Sequence, residues 1–392
     1  MKSFFRKLAP VGDFIETQVD ENPDSFLDKI FSPYSWNLYD SGTSALASAI
    51  TAAKSRKTST QPEIIIPAYA CPDLVSAAEF AGVKVNLVNF EKDRPWMDLE
   101  LVAAMINENT VAVVAVNFLG IPERIKQLVD IARSVDALVI DDSAQAFPVG
   151  HDSNFWTADI VVLSFGRGKP VSVLGGGAVL YRRNVIDLTR PTVVNFKRNT
   201  RIVDRYPNIE ISLYNILIRP RCFWVTNWLP FLSLGDTVFE PLQEISGMQF
   251  ERKSRLPKNI RAYQSGKHVE SHDVIREIFE SIAGDNSMLV DLPVVCGLSK
   301  SRKLLRYPIL LASGQRDVIL DELTRDGLGG SKLYADILPK IAGVRDVIGP
   351  SQTHEQSLEF ARRLITIPVH EGVKKEDLEN IRDTLKLRIN SN

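Results

Sequence analysis

The 392-residue sequence has few of the cysteine and histidine residues whose disulfides and metal sites stabilise small or secreted proteins. Its only cysteines, Cys71, Cys222 and Cys296, are odd in number and far apart, which does not make a disulfide framework and fits a reducing compartment. Histidine is also scarce, and the one close pair, His268 and His272, lies in HVESH rather than HExxH, so no metal site is predicted. A chain this long can bury a large core without such staples.

An excess of charge of one sign is missing as well. The 47 basic side chains are balanced by 48 acidic ones, which argues against a nucleic-acid binder because such domains carry a basic excess. The basic segment 197–205 stays open: it contacts a nucleotide diphosphate, or it is a solvated loop.

Long apolar runs are absent too. The most apolar region, 214–234, is interrupted by Arg219, Pro220 and Arg221, so no membrane span is predicted. The N-terminus lacks an apolar core of signal-peptide length before Asp13. We expect a cytoplasmic protein in which region 214–234 is buried or faces a second subunit; a membrane surface and a binding cleft are the alternatives.

What the sequence does contain is an alternation of short β-branched runs and longer amphipathic stretches over residues 37–181. The predicted strands are Ile64–Pro67, Val85–Asn89, Val111–Asn117, Ala137–Asp141, Ile160–Phe165 and Gly177–Tyr181, and the predicted helices are Ser44–Lys54, Pro72–Ala81, Leu99–Ile106 and Pro122–Ser134. Runs such as VAVVAV and DIVVLSF do not alternate, as expected for strands covered on both faces. This pattern predicts an α/β fold with a mainly parallel sheet flanked by helices.

The rest of the chain predicts a second, smaller domain. Residues 192–249 are an irregular connection, residues 251–283 are helical, and Tyr307–Leu311 and Leu364–Pro368 are strands. Helices are predicted over Gln315–Arg325 and Lys375–Leu387. We therefore expect a large domain over residues 1–240, whose part 190–240 is irregular and contacts a second subunit, and a small α+β domain over residues 241–392.

Polar residues follow several predicted strands. Tyr69, Asn117, Asp142 and Ser164 stand at or just beyond the carboxyl ends of apolar runs, where open α/β sheets bind their ligands. We expect these residues to share one cleft.

Three segments could hold a ligand there. Ser41-Gly42-Thr43-Ser44 opens an alanine-rich helix and suits a phosphate, although an ordinary N-cap looks the same. Asp142 could bind Mg²⁺, pair with a protonated nitrogen or cap a helix; a P-loop is excluded because Lys169 is followed by Pro170. Lys169, in SFGRGKP, is either a nucleophile toward an aldehyde or a lysine that contacts phosphate or solvent.

Together, an anion cradle, an aspartate for a ring nitrogen and a loop lysine describe a pyridoxal phosphate (PLP) site. At this point the sequence resembles the DegT-type sugar aminotransferases of PLP fold type I. The matching segments are SGTSALASAI, IIIPAYACPDLVSAAEFAGVKVNLVNFE, VNFLGIPERI, LVIDDSAQAF, SFGRGKP with GGGAVLY, and RRLITIPVH, with weaker echoes in RYPILL and GGSKLYADIL.

The resemblance implies roles for individual residues. Lys169 looks like the Schiff-base lysine, Asp142 like the pyridinium partner and Gln145 like the side chain near the ring hydroxyl. Gly42, Thr43, Ser44 and Ser164 look like the phosphate cradle. Lysine rather than histidine at position 169 favours transamination, because the free amine can carry out a 1,3 proton transfer.

The chain departs from the family at the substrate loops. The family often has an aromatic residue that stacks on the cofactor where this chain has Cys71, so either Tyr69 supplies the stack or the contact is non-aromatic. Asn117 replaces the usual histidine, and Thr237 is the nearest candidate for the contact that a partner subunit normally lends.

The resemblance also implies an activity. We expect an aminotransferase that moves an amino group from an amino acid, glutamate in the first instance, to a keto sugar that is nucleotide-linked, within polysaccharide biosynthesis. A homodimer with shared active sites is expected. The alternatives are PLP chemistry on a non-sugar substrate and a non-catalytic PLP-fold binding or regulatory protein.

Overall fold

A seven-stranded sheet forms the larger part of the fold. The computed structural model describes residues 6–150, 155–182, 207–224, 238–265, 274–278, 289–299, 302–350 and 353–389. The strands of the large sheet are β1 (Tyr34–Tyr39), β2 (Glu63–Pro67), β3 (Lys84–Val88), β4 (Thr110–Val116), β5 (Leu138–Asp142), β6 (Ile160–Ser164) and β7 (Gly177–Arg182). Their order is β1-β7-β6-β5-β4-β2-β3. Strands β2 to β6 pair in parallel, whereas β7 is antiparallel to both β6 and β1, which confirms the predicted mostly parallel sheet.

Helices cover both faces of this sheet. They are α1 (Pro23–Phe31), α2 (Gly42–Arg56), α3 (Asp73–Ala81), α4 (Leu99–Met105) and α5 (Ile125–Ala132). On one face, Val114 and Ile140 pack in the same cluster as α2 and α3, and on the other, Val113 and Val139 pack with α4 and α5. All seven residues of β4 are buried. Burial on both faces is the physical reason why VAVVAV shows no alternation.

A three-stranded antiparallel sheet lies in the C-terminal part of the chain. Its strands are β8 (Leu289–Asp291), β9 (Tyr307–Leu311) and β10 (Leu364–Ile367), in the order β10-β9-β8. Further helices in the described residues are α6 (Pro207–Leu217), α7 (Phe250–Lys253), α8 (Leu256–Gln264), α9 (Leu292–Val295), α10 (Arg316–Arg325), α11 (Val344–Ile348), α12 (Glu355–Arg363) and α13 (Lys375–Ile389).

The domain division at residue 240 stays a prediction, and the packing bears on it in one respect. Leu256, Ile260 and Tyr263 of α8 share a hydrophobic cluster with Leu163 and Leu180 of the large sheet. The cluster around the small sheet takes its members from residue 274 onward and from the loops of the large sheet. Residues on the C-terminal side of position 240 therefore also pack on the large sheet, among them those of α8.

The N-terminal segment, residues 6–16, joins the two sheets. Leu8 N–H donates to Gly327 O (2.8 Å), and the Nε2–H of His370 donates to Ala9 O (2.9 Å). On the other side, Val11 lies so close to Gly168 that a β-carbon at Gly168 would be 2.7 Å from Val11 Cγ2. The segment thus connects the C-terminal part of the chain to the loop that carries Lys169.

A buried arginine holds this segment in place. Arg306 is 2% exposed and donates to the backbone oxygens of Pro10, Gly329 (2.8 Å) and Thr366 (2.7 Å), and to Thr366 Oγ1 (2.6 Å). Burial lowers its pKa to about 9. Because its acceptors are neutral, the guanidinium acts as a rigid fork that satisfies three chain segments at once.

Parts of the predicted irregular connection are described. It contains helix α6, with Ile211 buried and Ile209, Leu213 and Ile216 exposed; Ile218, directly after the helix, is also buried. Thr237 and the basic segment 197–205 lie outside the described residues. In the described part of the chain, no helix combines the length and the apolar character needed to cross a bilayer.

Candidate active site

Asp142 ends strand β5 and is 6% exposed. Its Oδ1 accepts a hydrogen bond from Ala144 N–H (3.0 Å), and no described residue donates to its Oδ2. Burial raises the pKa of this carboxyl, while the Ala144 N–H and the charge of Lys169 lower it. A buried carboxylate oxygen without a donor is a site for a cationic partner.

Lys169 stands in the loop after strand β6. The loop turns through Gly168, whose φ is +71°, and Lys169 N–H donates to Gly166 O (3.3 Å). The half-buried ammonium lowers the pKa of both Asp142 and Cys71 through its charge. These three side chains therefore lie near one another.

The start of helix α2 approaches the end of β6. A β-carbon at Gly42 would lie 2.7 Å from Ser164 Oγ, and one at Gly177 would lie 2.5 Å from Ser41 O. Only glycine allows these approaches. The N–H groups of Gly42 and Thr43 find no acceptor within the described ranges, so they and the Ser164 hydroxyl form the open end of a helix, a setting that favours an anion.

Ser44 is separated from this group. It is fully buried, its N–H donates to Ser41 Oγ (3.0 Å), and its hydroxyl accepts from Ser41 Oγ (2.9 Å). The hydroxyl also hydrogen-bonds to Asp40, whose pKa is raised by burial. Ser44 thus stabilises the first turn of α2, and Ser41 is the N-cap.

Gln145 is held by two hydrogen bonds. Its Oε1 accepts from Leu119 N–H (2.8 Å), and its Nε2 donates to the Tyr334 hydroxyl (2.7 Å). Burial raises the pKa of Tyr334 well above its usual value, and the charges of Cys71 and Asp142 add to this. Tyr334 is therefore close to Asp142, and sequence reasoning missed it; its only signal was the segment GGSKLYADIL.

The two candidates for the cofactor stack differ in position. Burial raises the pKa of the Cys71 thiol to about 12, so this side chain stays neutral beside Lys169. Tyr69 is 0% exposed, its hydroxyl donates to Lys332 O (2.9 Å), and its ring packs edge to face on that of Tyr334 (5.4 Å between centroids). Tyr69 therefore has no exposed surface for a cofactor and contacts Tyr334 from within the core.

Asn117 also lies beneath the site. Its Nδ2 donates to Asp141 Oδ1 (2.7 Å) and to Ser143 Oγ (2.8 Å), and its Oδ1 accepts from Glu123 N–H (2.9 Å). Burial raises the pKa of Asp141 to about 7. Asn117 therefore belongs to a buried network next to Asp142, and the cleft does not include it.

These residues fit pyridoxal phosphate on three counts. Asp142 has an oxygen available for a protonated ring nitrogen, Lys169 has an amine near it, and the open end of α2 suits the phosphate. The sequence comparison identifies a similar family: the model of the DegT/DnrJ/EryC1/StrS aminotransferase family matches residues 38–189. Over these residues the chain is similar to that family. The match includes Asp142, Lys169 and the start of α2, and confirms the predicted resemblance to this aminotransferase family.

Two curated proteins similar to this chain are named as nucleotide-sugar enzymes. The chain is 28% identical to the GDP-perosamine synthase of Escherichia coli O157:H7 over 54% of this chain and 55% of that protein. It is 22% identical to the dTDP-4-amino-4,6-dideoxy-D-glucose transaminase of Shigella dysenteriae over 89% of this chain and 84% of the relative. The match to the first relative thus spans about half of its length.

Solved structures show the same fold. A Streptococcus pneumoniae protein in its PLP form matches 97% of this chain with 93% of its own, at a TM-score of 0.67 and 19% identity. The predicted PLP fold type I architecture is confirmed.

Proposed function

We propose that the protein is a PLP-dependent aminotransferase that transfers an amino group from an amino acid to a nucleotide-linked keto sugar. The observation that carries the proposal is the convergence of Asp142, Lys169 and the start of α2 at the carboxyl ends of parallel strands, within a family of aminotransferases. The names of the two relatives support the sugar acceptor. Glutamate is the proposed donor, and polysaccharide biosynthesis the proposed setting.

Each residue has a defined task in this proposal. The N–H groups of Gly42 and Thr43 and the Ser164 hydroxyl bind the phosphate. Asp142 keeps the ring nitrogen protonated through its unpaired Oδ2. When bound, PLP supplies an electron sink for the substrate's α-carbon. Lys169 would hold the cofactor through its amine, and its Nζ, once free, would carry out the 1,3 proton transfer that transamination requires.

Other side chains shape the surroundings. Gln145 lies against Tyr334, so the pair forms a polar wall beside Asp142. The neutral thiol of Cys71 offers a non-aromatic contact for one face of the ring. Tyr69 positions Tyr334 through its hydroxyl, which accepts from Tyr334 N–H (3.3 Å).

We further propose a cytoplasmic homodimer with shared active sites, in which the connection 190–240 and Thr237 reach the second subunit. The exposed apolar residues Ile209, Leu213 and Ile216 of α6 support a contact there. Light scattering on the active enzyme tests this part: a monomer that turns over would contradict it.

The activity is tested in two half-reactions. Glutamate should bleach the visible absorbance of the PLP-loaded protein, and a nucleotide-linked keto sugar should restore it. Borohydride should fix the cofactor on Lys169, and Lys169→Ala should abolish both half-reactions. Lys126→Met, a change at an exposed lysine on α5, is the control.

The outcomes separate the alternatives. Conversion by glutamate with no sugar able to restore the absorbance, while a non-sugar ketone does, would favour chemistry on a non-sugar substrate. Full biological activity of Lys169→Ala in a complementation test would favour a non-catalytic role.

A further inference from the structure

A cavity of about 190 Å³ adjoins the Lys169 loop and has no assigned ligand. Its wall includes Lys169, residues 11–16 of the N-terminal segment, Tyr263 of α8, Lys303 and Glu371. Pockets for drug-sized ligands measure roughly 300–1,000 Å³, so this cavity suits a small molecule or one end of a larger one.

Lys303 is the exceptional residue of this cavity. It is 7% exposed, yet its Nζ donates no hydrogen bond to a described residue. The nearest carboxylate oxygen, Asp13 Oδ2, is 3.9 Å away, and the Tyr263 ring centroid is also 3.9 Å away. An ammonium taken out of water is costly unless acceptors replace the water. Lys303 therefore holds donor capacity that no described residue uses.

The two acids near Lys303 are themselves engaged by backbone donors. Asp13 Oδ1 accepts from Glu371 N–H (3.3 Å), and Glu371 Oε1 accepts from Phe14 N–H (2.7 Å). Both acids raise the pKa of Lys303, but burial, the larger cause, lowers it. Asp13 and Glu371 thus keep the lysine charged without giving it a close acceptor.

We propose that the Lys303 ammonium binds a carboxylate of the amino donor in this cavity. The proposal rests on the proposed function, since only an aminotransferase has such a donor. A carboxylate supplies the planar, charged acceptor that the ammonium lacks, and an amino acid matches the size of the cavity. Because Lys169 lines the same cavity, a donor held at Lys303 lies beside the residue that carries the cofactor in the proposed function.

The test compares donors in the half-reaction with PLP-loaded protein. In Lys303→Met and Lys303→Gln, the glutamate concentration that gives half the maximal rate should rise about 10- to 100-fold, the loss expected for one charge-assisted hydrogen bond. Lys303→Arg, which keeps the charge, should restore most of the affinity. The control is Lys126→Met, and the visible absorbance of each variant before glutamate is added reports cofactor binding.

A second donor tells the two carboxylates apart. Alanine lacks a side-chain carboxylate, so an effect on glutamate alone means that Lys303 binds the side-chain group, and an equal effect on both means that it binds the α-carboxylate; either supports the proposal. Unchanged glutamate affinity in both neutral variants overturns it, as does a loss confined to the sugar half-reaction. A native protein that no amino acid converts would instead contradict the proposed function.

Discussion

Replacing Gly42 by alanine tests the close approach of α2 to β6. The added β-carbon would lie 2.7 Å from Ser164 Oγ and 2.8 Å from Ser164 Cβ, whereas ordinary contacts begin at 3.4 Å. The helix start and Ser164 must therefore separate by about 0.7 Å, and neither a short serine side chain nor a close-packed core absorbs such a shift freely. Overpacking of this kind costs about 1–3 kcal/mol.

The cost should appear in cofactor binding, because the moving groups are the ones proposed to hold the phosphate. If the whole strain acts on the phosphate-binding groups, PLP affinity should fall about 5- to 150-fold, because each 1.4 kcal/mol corresponds to a factor of ten. The assay is titration of the apoprotein with PLP, followed by absorbance, with thermal unfolding of the apoprotein measured in parallel.

The matched control is Gly166→Ala in the neighbouring loop. Its β-carbon would meet Ser164 Oγ at an ordinary 3.6 Å, so its PLP affinity should stay close to the native value. The double variant Gly42→Ala with Ser164→Gly should lose less PLP-binding free energy than the sum of the losses in the two single variants, because the clash is gone. Native affinity and native melting temperature in Gly42→Ala would refute the close approach.

Two further predictions concern buried polar groups. Burial raises the pKa of Asp141 from 3.8 to about 7, so between these pH values the folded state holds a proton that the unfolded state has released. The free energy of unfolding should therefore fall as pH rises from about 4 to 7. Urea titrations of Asp141→Asn should lack this part of the pH dependence, and parallel curves for the two proteins would contradict the prediction. Replacing Arg306 by leucine leaves the carbonyls of Pro10, Gly329 and Thr366 without their donor and should lower the free energy of unfolding by about 3 kcal/mol or more. Amide hydrogen exchange in residues 6–16 should become faster. Native exchange rates in this segment would show that Arg306 does not hold it.

The central strands could be predicted from the sequence because burial on both faces leaves a strong local signal. Strand β1 was missed for the opposite reason. Four of its six residues are only partly buried, and its place comes from pairing with β7 about 145 residues later, an interaction that no local pattern encodes. Strand β8 has three residues, too few for periodicity to show.

The site divides in the same way. The strand-end position of Asp142 and the loop position of Lys169 place the two side chains near each other, because parallel strands end at the same edge. Strand-end positions could not identify Tyr334, because it contacts Gln145 from a position 189 residues later in the sequence. The sequence pattern of a helix cap does not reveal which of the hydroxyls of Ser41 and Ser44 is buried. In the same way, the position of Tyr69 after a strand does not reveal that its side chain faces the core.

The N-terminal segment also has a consequence for synthesis. The hydrogen bond between Ala9 and His370 joins residues 361 positions apart, and Arg6 pairs with Asp377 across 371. At about 5–20 residues per second, a ribosome needs on the order of 20–70 s to make the partner after the segment has emerged. Until then the wall beside Lys169 and Lys303 is incomplete, so nascent chains that already contain the whole large sheet should be unable to hold the amino donor.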